Sequence, residues 1–179
     1  ILNLFSTYFR DKIFNFKILE DLFKKNYLDF LAINYYTKQN IRFGGLLGKE
    51  CNSYLHNERK NFLGWYVYPD GLFNLLIKLK KFNLPIIITE NGTAETQDIL
   101  YKDYLLLHLK SVHKAILKKV NVKGYLWWSL IDNFEWDKGF GPRFGLIEVN
   151  YKTFERKIKP FALVYAKIAK ENKIVLNGA

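Results

Sequence analysis

The sequence predicts an α/β protein built from parallel strand–helix–strand units, and three observations predict it. Short β-branched, apolar runs alternate with segments whose apolar residues recur at helical spacing. The runs are almost continuously apolar, as strands buried on both faces are. Each run ends in polar or aromatic residues: Asn34-Tyr35-Tyr36, Glu90-Asn91 and Trp127-Trp128-Ser129. Two layouts satisfy the alternation, an open doubly wound sheet or part of a β/α barrel. No G-x-G-x-x-G and no P-loop follows any run, so a nucleotide fold gains little support. Functional groups at the carboxyl ends of successive strands are the pattern of barrel enzymes.

Taken in order, residues 1–14 and 18–26 read as helical. Asp29–Tyr36 (DFLAINYY) reads as a buried strand. Residues 38–64 are polar and irregular, with Gly44, Gly45 and Gly48, and read as a long loop. Asp70 precedes a helix whose stripe is Leu72, Leu75, Leu76 and Leu79. Lys78, Lys80 and Lys81 fall late in it, where cations suit the helix dipole. Pro85 opens the strand Ile86–Glu90. A helix is expected over 101–118, with Leu105, Leu109, Val112 and Ile116 inward. Val122–Ser129 is the next strand, and 131–141 an aromatic, acidic loop. Pro160 suits the first turn of a last helix that turns Phe161, Val164, Tyr165 and Ile168 inward.

The 179 residues suit one domain or part of a larger one. An apolar share of 49% excludes intrinsic disorder. Cys51 is the single cysteine, so a disulfide framework and a Cys-rich zinc site are both excluded. No apolar run is long enough to span a bilayer. The chain opens on Ile1 and contains no Met, so translation is expected to begin upstream. Its first residues lack a signal-peptide cleavage site, and a cytoplasmic location is expected. The net charge of +11 raises the question of nucleic acid. Only Arg10, Arg42, Arg59, Arg143 and Arg156 are arginines, and the lysines are scattered with no tract beyond two. That distribution describes a solvated surface, so neither nucleic acid nor membrane is expected as a partner.

Glu90 is the sharpest chemical feature. It ends a strongly apolar strand, where a carboxylate is held rigidly at a rim; the plainer alternative is a strand-end acid making turn hydrogen bonds. Asn91-Gly92-Thr93 matches a glycosylation sequon, but a strand-end position facing a pocket argues against a glycan. A second group comprises Trp127, Trp128, Asp132, Asn133, Phe134, Glu135 and Trp136. Flat rings plus carboxylates and amides are what a carbohydrate site needs, and a packed aromatic core is the alternative. His108 and His113, five apart, do not share a helix face as metal ligands would, and His56 lies in the long loop. Packing or surface roles are expected for all three.

The segments DFLAINYYT (29–37), GWYVYPDGL (64–72), LPIIITENG (84–92), GYLWWSLIDNFEW (124–136) and RFGLIEVNY (143–151) resemble glycoside hydrolase family 1, the β-glucosidases, β-galactosidases and their relatives. The resemblance implies that Glu90, in TENG, is the catalytic nucleophile and Tyr36 its hydrogen-bond partner. It implies that Asn34 lines the site, Trp128 forms a sugar platform, Glu135 and Trp136 bind glycone hydroxyls, and Phe144 is a pocket wall. Relatives that take 6-phosphorylated sugars are implied to carry Ser, Lys and Tyr at the positions of Glu135, Pro142 and Phe144. An anionic Glu135 repels phosphate and Pro142 offers no cation, so neutral β-glycosides are expected. Ala32 stands for a usual Gly and Tyr101 for a usual Arg.

The implied fold is the C-terminal part of a (β/α)8 TIM barrel, strands six to eight with their helices, as one partial catalytic domain over 1–179. The family's Asn-Glu-Pro motif, with its general acid/base, is absent from the sequence. The expectation is a retaining β-glycosidase part that needs the missing N-terminal half of the barrel as partner. It is implied to use neither metal nor organic cofactor, and a homo-oligomer is compatible with it. The alternative is a non-catalytic remnant binding carbohydrate or protein through Trp127, Trp128 and Trp136.

Overall fold

A computed structural model describes residues 2–44, 49–50 and 59–175. Cys51 and His56 lie outside them. Two helices, α1 (Leu2–Asp11) and α2 (Lys17–Lys24), are joined by one π-helical turn, Lys12–Phe16. No Gly or Pro interrupts this stretch, so the chain stays helical where the sequence reading placed a break. The strands that follow are β1 (Leu31–Asn34), β2 (Ile41–Arg42) and β3 (Lys49–Glu50). Then come α3 (Pro69–Leu79), β4 (Ile86–Asn91), α4 (Asp98–Leu117) and β5 (Val122–Trp127). An antiparallel hairpin, β6 (Ile147–Val149) and β7 (Arg156–Ile158), precedes α5 (Pro160–Glu171).

The central sheet is parallel, in the order β1-β4-β5. It is an incomplete α/β layer, with no closed barrel among the described residues. One face is covered. Ile86 and Ile88 of β4 pack with Leu31 of β1 against Leu72, Leu76 and Leu79 of α3 and Val112 and Ala115 of α4. Burying one such aliphatic side chain is worth about 1.5–3 kcal/mol, so this layer anchors β4. A second cluster joins Tyr101, Tyr104, Leu105 and Leu109 of α4 to Trp127 and to Phe161 of α5. The other face stays open: Ala32 and Leu126 are exposed, and Ile87 is half-buried.

Several details correct the sequence reading. Pro69 opens α3, so Asp70 lies within its first turn. Ile116 is 44% exposed, and Ala115 takes the inward place in α4. A helix advances 100° per residue, so a strict i+4 stripe drifts off the contact line over five turns. β5 stops at Trp127, two residues early. The loop 131–141 holds a 3-10 turn, Trp136–Lys138. The β6–β7 hairpin adds to that reading; β7 is exposed along its whole length and carries no apolar alternation to announce it.

Candidate active site

The parallel register brings the ends of β1, β4 and β5 together. Asn34 stands opposite Glu90, across a local shift in pairing. The main chain at 90–91 is clamped from both sides. Tyr35 N–H donates to the Glu90 carbonyl at 2.9 Å, and Trp128 N–H donates to the Asn91 carbonyl at 3.0 Å. Gly92 follows because no side chain fits there: a Cβ would collide with the Trp128 carbonyl oxygen. The tight approach of two backbones is what this glycine allows.

Glu90 is half-buried, and the Tyr36 hydroxyl donates to its Oε2 at 2.6 Å. That length is typical of a charge-assisted O–H···O⁻ bond. Burial first, then the hydrogen bond to Glu90 and the charges of Glu90 and Glu135, hold the Tyr36 phenol far above the ordinary tyrosine range. Tyr36 therefore remains a donor throughout the physiological pH range. Its ring meets Trp65 edge-on at 5.7 Å and Phe144 at 6.2 Å between centroids, and Trp65 and Phe144 lie 6.1 Å apart. Phe144 is itself buried, so it supports the Tyr36 ring from behind.

The remaining expected residues divide by exposure. Asn34 is exposed at the strand end, and its Oδ1 accepts from Thr89 at 2.7 Å. Trp128 and Glu135 are half-buried. Trp136 is 80% exposed, in the left-handed region at φ 45°. Trp127 points the other way. It is 6% exposed, packs on Phe161 and Tyr104, and donates Nε1–H to the Phe144 carbonyl at 2.9 Å. Successive strand residues face opposite sides, so Trp127 belongs to the core while Trp128 does not. Asp132 also leaves the open aromatic group. Its carboxylate is fully buried, pairs with Lys159 at 3.2 Å and Arg143 at 3.4 Å, and accepts from Gly145 N–H at 2.8 Å.

Sequence reasoning missed the supports. Asn61 is buried, caps the N–H groups of Leu63 and Trp65 at 2.9 Å, and donates to Thr93 at 3.2 Å. It holds Trp65 against Tyr36, across a polar segment that gave no periodic signal. Asn91 is buried beneath Glu90 among three tyrosines from β1, α4 and β5 or just beyond them. A sequon with both Asn91 and Thr93 at 0% exposure offers no glycan acceptor in the folded chain. Among the described residues no cluster of three or more His, Cys, Asp or Glu could hold a metal ion. No helix of the described residues is long and apolar enough to cross a membrane.

The arrangement is a carboxylate fixed at a strand end, with a permanent donor on one oxygen and aromatic rings around it. Comparison with known proteins places the chain in a family. The model of glycosyl hydrolase family 1 matches residues 6–174. A β-galactosidase of Sulfolobus acidocaldarius is 40% identical over 168 residues, 88% of this chain and 34% of that protein. The chloroplastic galactolipid galactosyltransferase SFR2 of Arabidopsis thaliana is 36% identical over 82% of this chain and 24% of its own length. The crystal structure of a hyperthermophilic β-glucosidase from Pyrococcus furiosus superposes with a TM-score of 0.82 at 35% identity, over 94% of this chain and 38% of that one. The chain thus spans about a third or less of these relatives' length. Over nearly all of its own length, this chain belongs to glycosyl hydrolase family 1.

Proposed function

We propose that this chain is the nucleophile-bearing C-terminal part of a retaining β-glycosidase, with β1, β4 and β5 as strands six, seven and eight of a (β/α)8 barrel. It forms one partial catalytic domain over 1–179. The observation that carries the reading is the 2.6 Å bond from Tyr36 to Glu90 at the end of the central strand. A carboxylate so held has one oxygen oriented by the phenol and the other free to attack.

Retaining hydrolysis takes two carboxyl groups about 5–5.5 Å apart. Glu90 attacks the anomeric carbon as the bond to the aglycone oxygen breaks, giving a covalent glycosyl-enzyme. The second group protonates the departing oxygen and then activates water. This sequence has no Asn-Glu-Pro segment, so the second group comes from the missing part of the barrel. Without general acid/base help the rate falls about 10²–10⁴-fold, so the chain alone is inactive in practice. We assign Trp128 as the sugar platform, Asn34, Glu135 and Trp136 as contacts to glycone hydroxyls, and Phe144 as the wall behind Tyr36. Glu135 favours neutral glucosides and galactosides over phosphorylated ones. A chain with no disulfide framework suits the cytoplasm, where we place it.

The decisive variant is Glu90→Gln in this chain completed with the rest of a family 1 enzyme. Turnover of an aryl β-glycoside should fall at least ~10⁴-fold. An activated 2-fluoro-glycoside should label Glu90 and nothing else. Near-normal turnover of the variant ends the assignment. A non-catalytic remnant gives no adduct, and it has lost Trp127, one of its three proposed contacts, to the core.

A further inference from the structure

The Tyr36–Glu90 pair rests on a hidden set of hydrogen bonds. Asn91, next in sequence to Glu90, is 0% exposed. Its Nδ2 donates to the Tyr35 carbonyl at 2.6 Å and to the Tyr104 hydroxyl at 3.0 Å. Its Oδ1 accepts from the Tyr125 hydroxyl at 2.7 Å. The Tyr104 hydroxyl, on α4 and equally buried, donates onward to the Tyr36 carbonyl at 3.0 Å. Both carbonyls flanking the Tyr36 Cα are therefore gripped by one network. The Tyr35 N–H adds a third tie, to the carbonyl of Glu90.

Such a network is demanding. An amide and two phenols taken out of water need every partner in place, and here each has one. Apolar side chains of similar size would fill the same space with no such requirement. What the polar arrangement adds is a fixed main-chain position for Tyr36 relative to Glu90. Neither Asn91 nor Tyr104 is exposed enough to touch a sugar.

We propose that Asn91 and Tyr104 are positioning residues for the reaction, acting through Tyr36 on the nucleophile. This rests on Glu90 being that nucleophile. Slack at Tyr36 lengthens its bond to the carboxylate. The carboxylate then meets the anomeric carbon less well aligned, and formation of the glycosyl-enzyme slows. KM changes little, because the sugar contacts lie elsewhere.

The test compares the completed enzyme with its Tyr36→Phe, Tyr104→Phe and combined variants, using an aryl β-glycoside for kcat and KM and a 2-fluoro-glycoside for the rate of labelling. Tyr104→Phe should lower kcat about 10-fold, within the range a small misplacement produces. KM should stay within about twofold of wild type, and labelling of Glu90 by the 2-fluoro-glycoside should slow by about the same factor as kcat, as in Tyr36→Phe. The combined variant should be no slower than Tyr36→Phe alone, since the network acts through that phenol. A loss in Tyr104→Phe confined to KM with labelling unslowed, or losses that multiply in the combined variant, overturns the proposal. Should Tyr104→Phe melt below the assay temperature, Tyr125→Phe loosens Asn91 from its other side and is judged by the same two criteria. A Glu90→Gln enzyme with full turnover and no 2-fluoro-glycosyl adduct overturns the nucleophile reading itself. An adduct on Glu90 together with a silent Tyr104→Phe overturns the positioning role alone.

Discussion

His108 sits inside α4, fully buried, with Nδ1 2.8 Å from the Tyr104 carbonyl and its ring stacked on Tyr104 at 3.8 Å. Burial pushes it down to about 4, and the bond to Tyr104 only partly opposes that. The neutral ring is the native form. In the unfolded chain His108 gains a proton near its ordinary value of 6.5, well before the folded chain does. Its contribution to stability is therefore complete above pH 6.5, declines as pH falls toward 4, and is gone below that. The full effect is about 3 kcal/mol. Urea unfolding at pH 7 and pH 4.5 should show the loss, and His108→Gln should lose markedly less over the same interval. Equal losses in both proteins would remove His108 as the cause. The sequence showed only that His108 and His113 do not share a face; that His108 is buried while His113 is exposed depends in part on Tyr35, just beyond β1, whose ring lies against it and which no local pattern contains. Glu90 was legible as a carboxylate at a strand end, and its pairing with Tyr36 was an implication of the family resemblance. The support that Asn91 gives was not, because its partners Tyr35, Tyr104 and Tyr125 lie 56, 13 and 34 residues away in sequence, and only the folded register joins them.

At the level of elements, β4 is the hinge of the argument between sequence and structure. Its β-branched run and its opening after Pro85 are visible in the residues, and the folded strand runs one residue further, to Asn91. Helix α3 was visible from its leucine stripe, and α5 from a stripe plus Pro160 in the first turn. The hairpin β6–β7 was not, since its pairing depends on Leu146, Ile147 and Lys159 bonding to neighbours rather than on an amphipathic pattern. Gly92 shows what links two elements at the site. A side chain there would press on the Trp128 carbonyl and part the ends of β4 and β5. Gly92→Ala should destabilise the chain by about 1–3 kcal/mol, as overpacking does, read as a lower urea midpoint at unchanged slope. A midpoint equal to wild type would show that the two strand ends tolerate separation.

For the molecule as a whole, one face of the sheet is covered by helices and the other is bare. β1 and β5 are edge strands among the described residues, and each carries unpaired backbone groups. Leu126 is 54% exposed on that bare side. The chain alone should self-associate at micromolar concentration and bind a hydrophobic dye, and the proposed N-terminal part of the barrel, when added, should suppress both. Light scattering during gel filtration checks this. A monodisperse monomer with a sharp, cooperative melt would mean that the layer is sufficient by itself. The parallel alternation was legible in the sequence, but the bare face was not, since an apolar run looks the same whether its second side meets protein or water.

The burial of Asn91 and Thr93 also bears on how the chain can be made. In a secretory compartment an oligosaccharyltransferase meets this tripeptide while the nascent chain is still extended, before β4 has joined its neighbours. A sugar tree attached then would occupy the space that Tyr35, Tyr104 and Tyr125 share with the amide, and the two outcomes exclude each other. Production in a bacterial cytosol avoids that conflict.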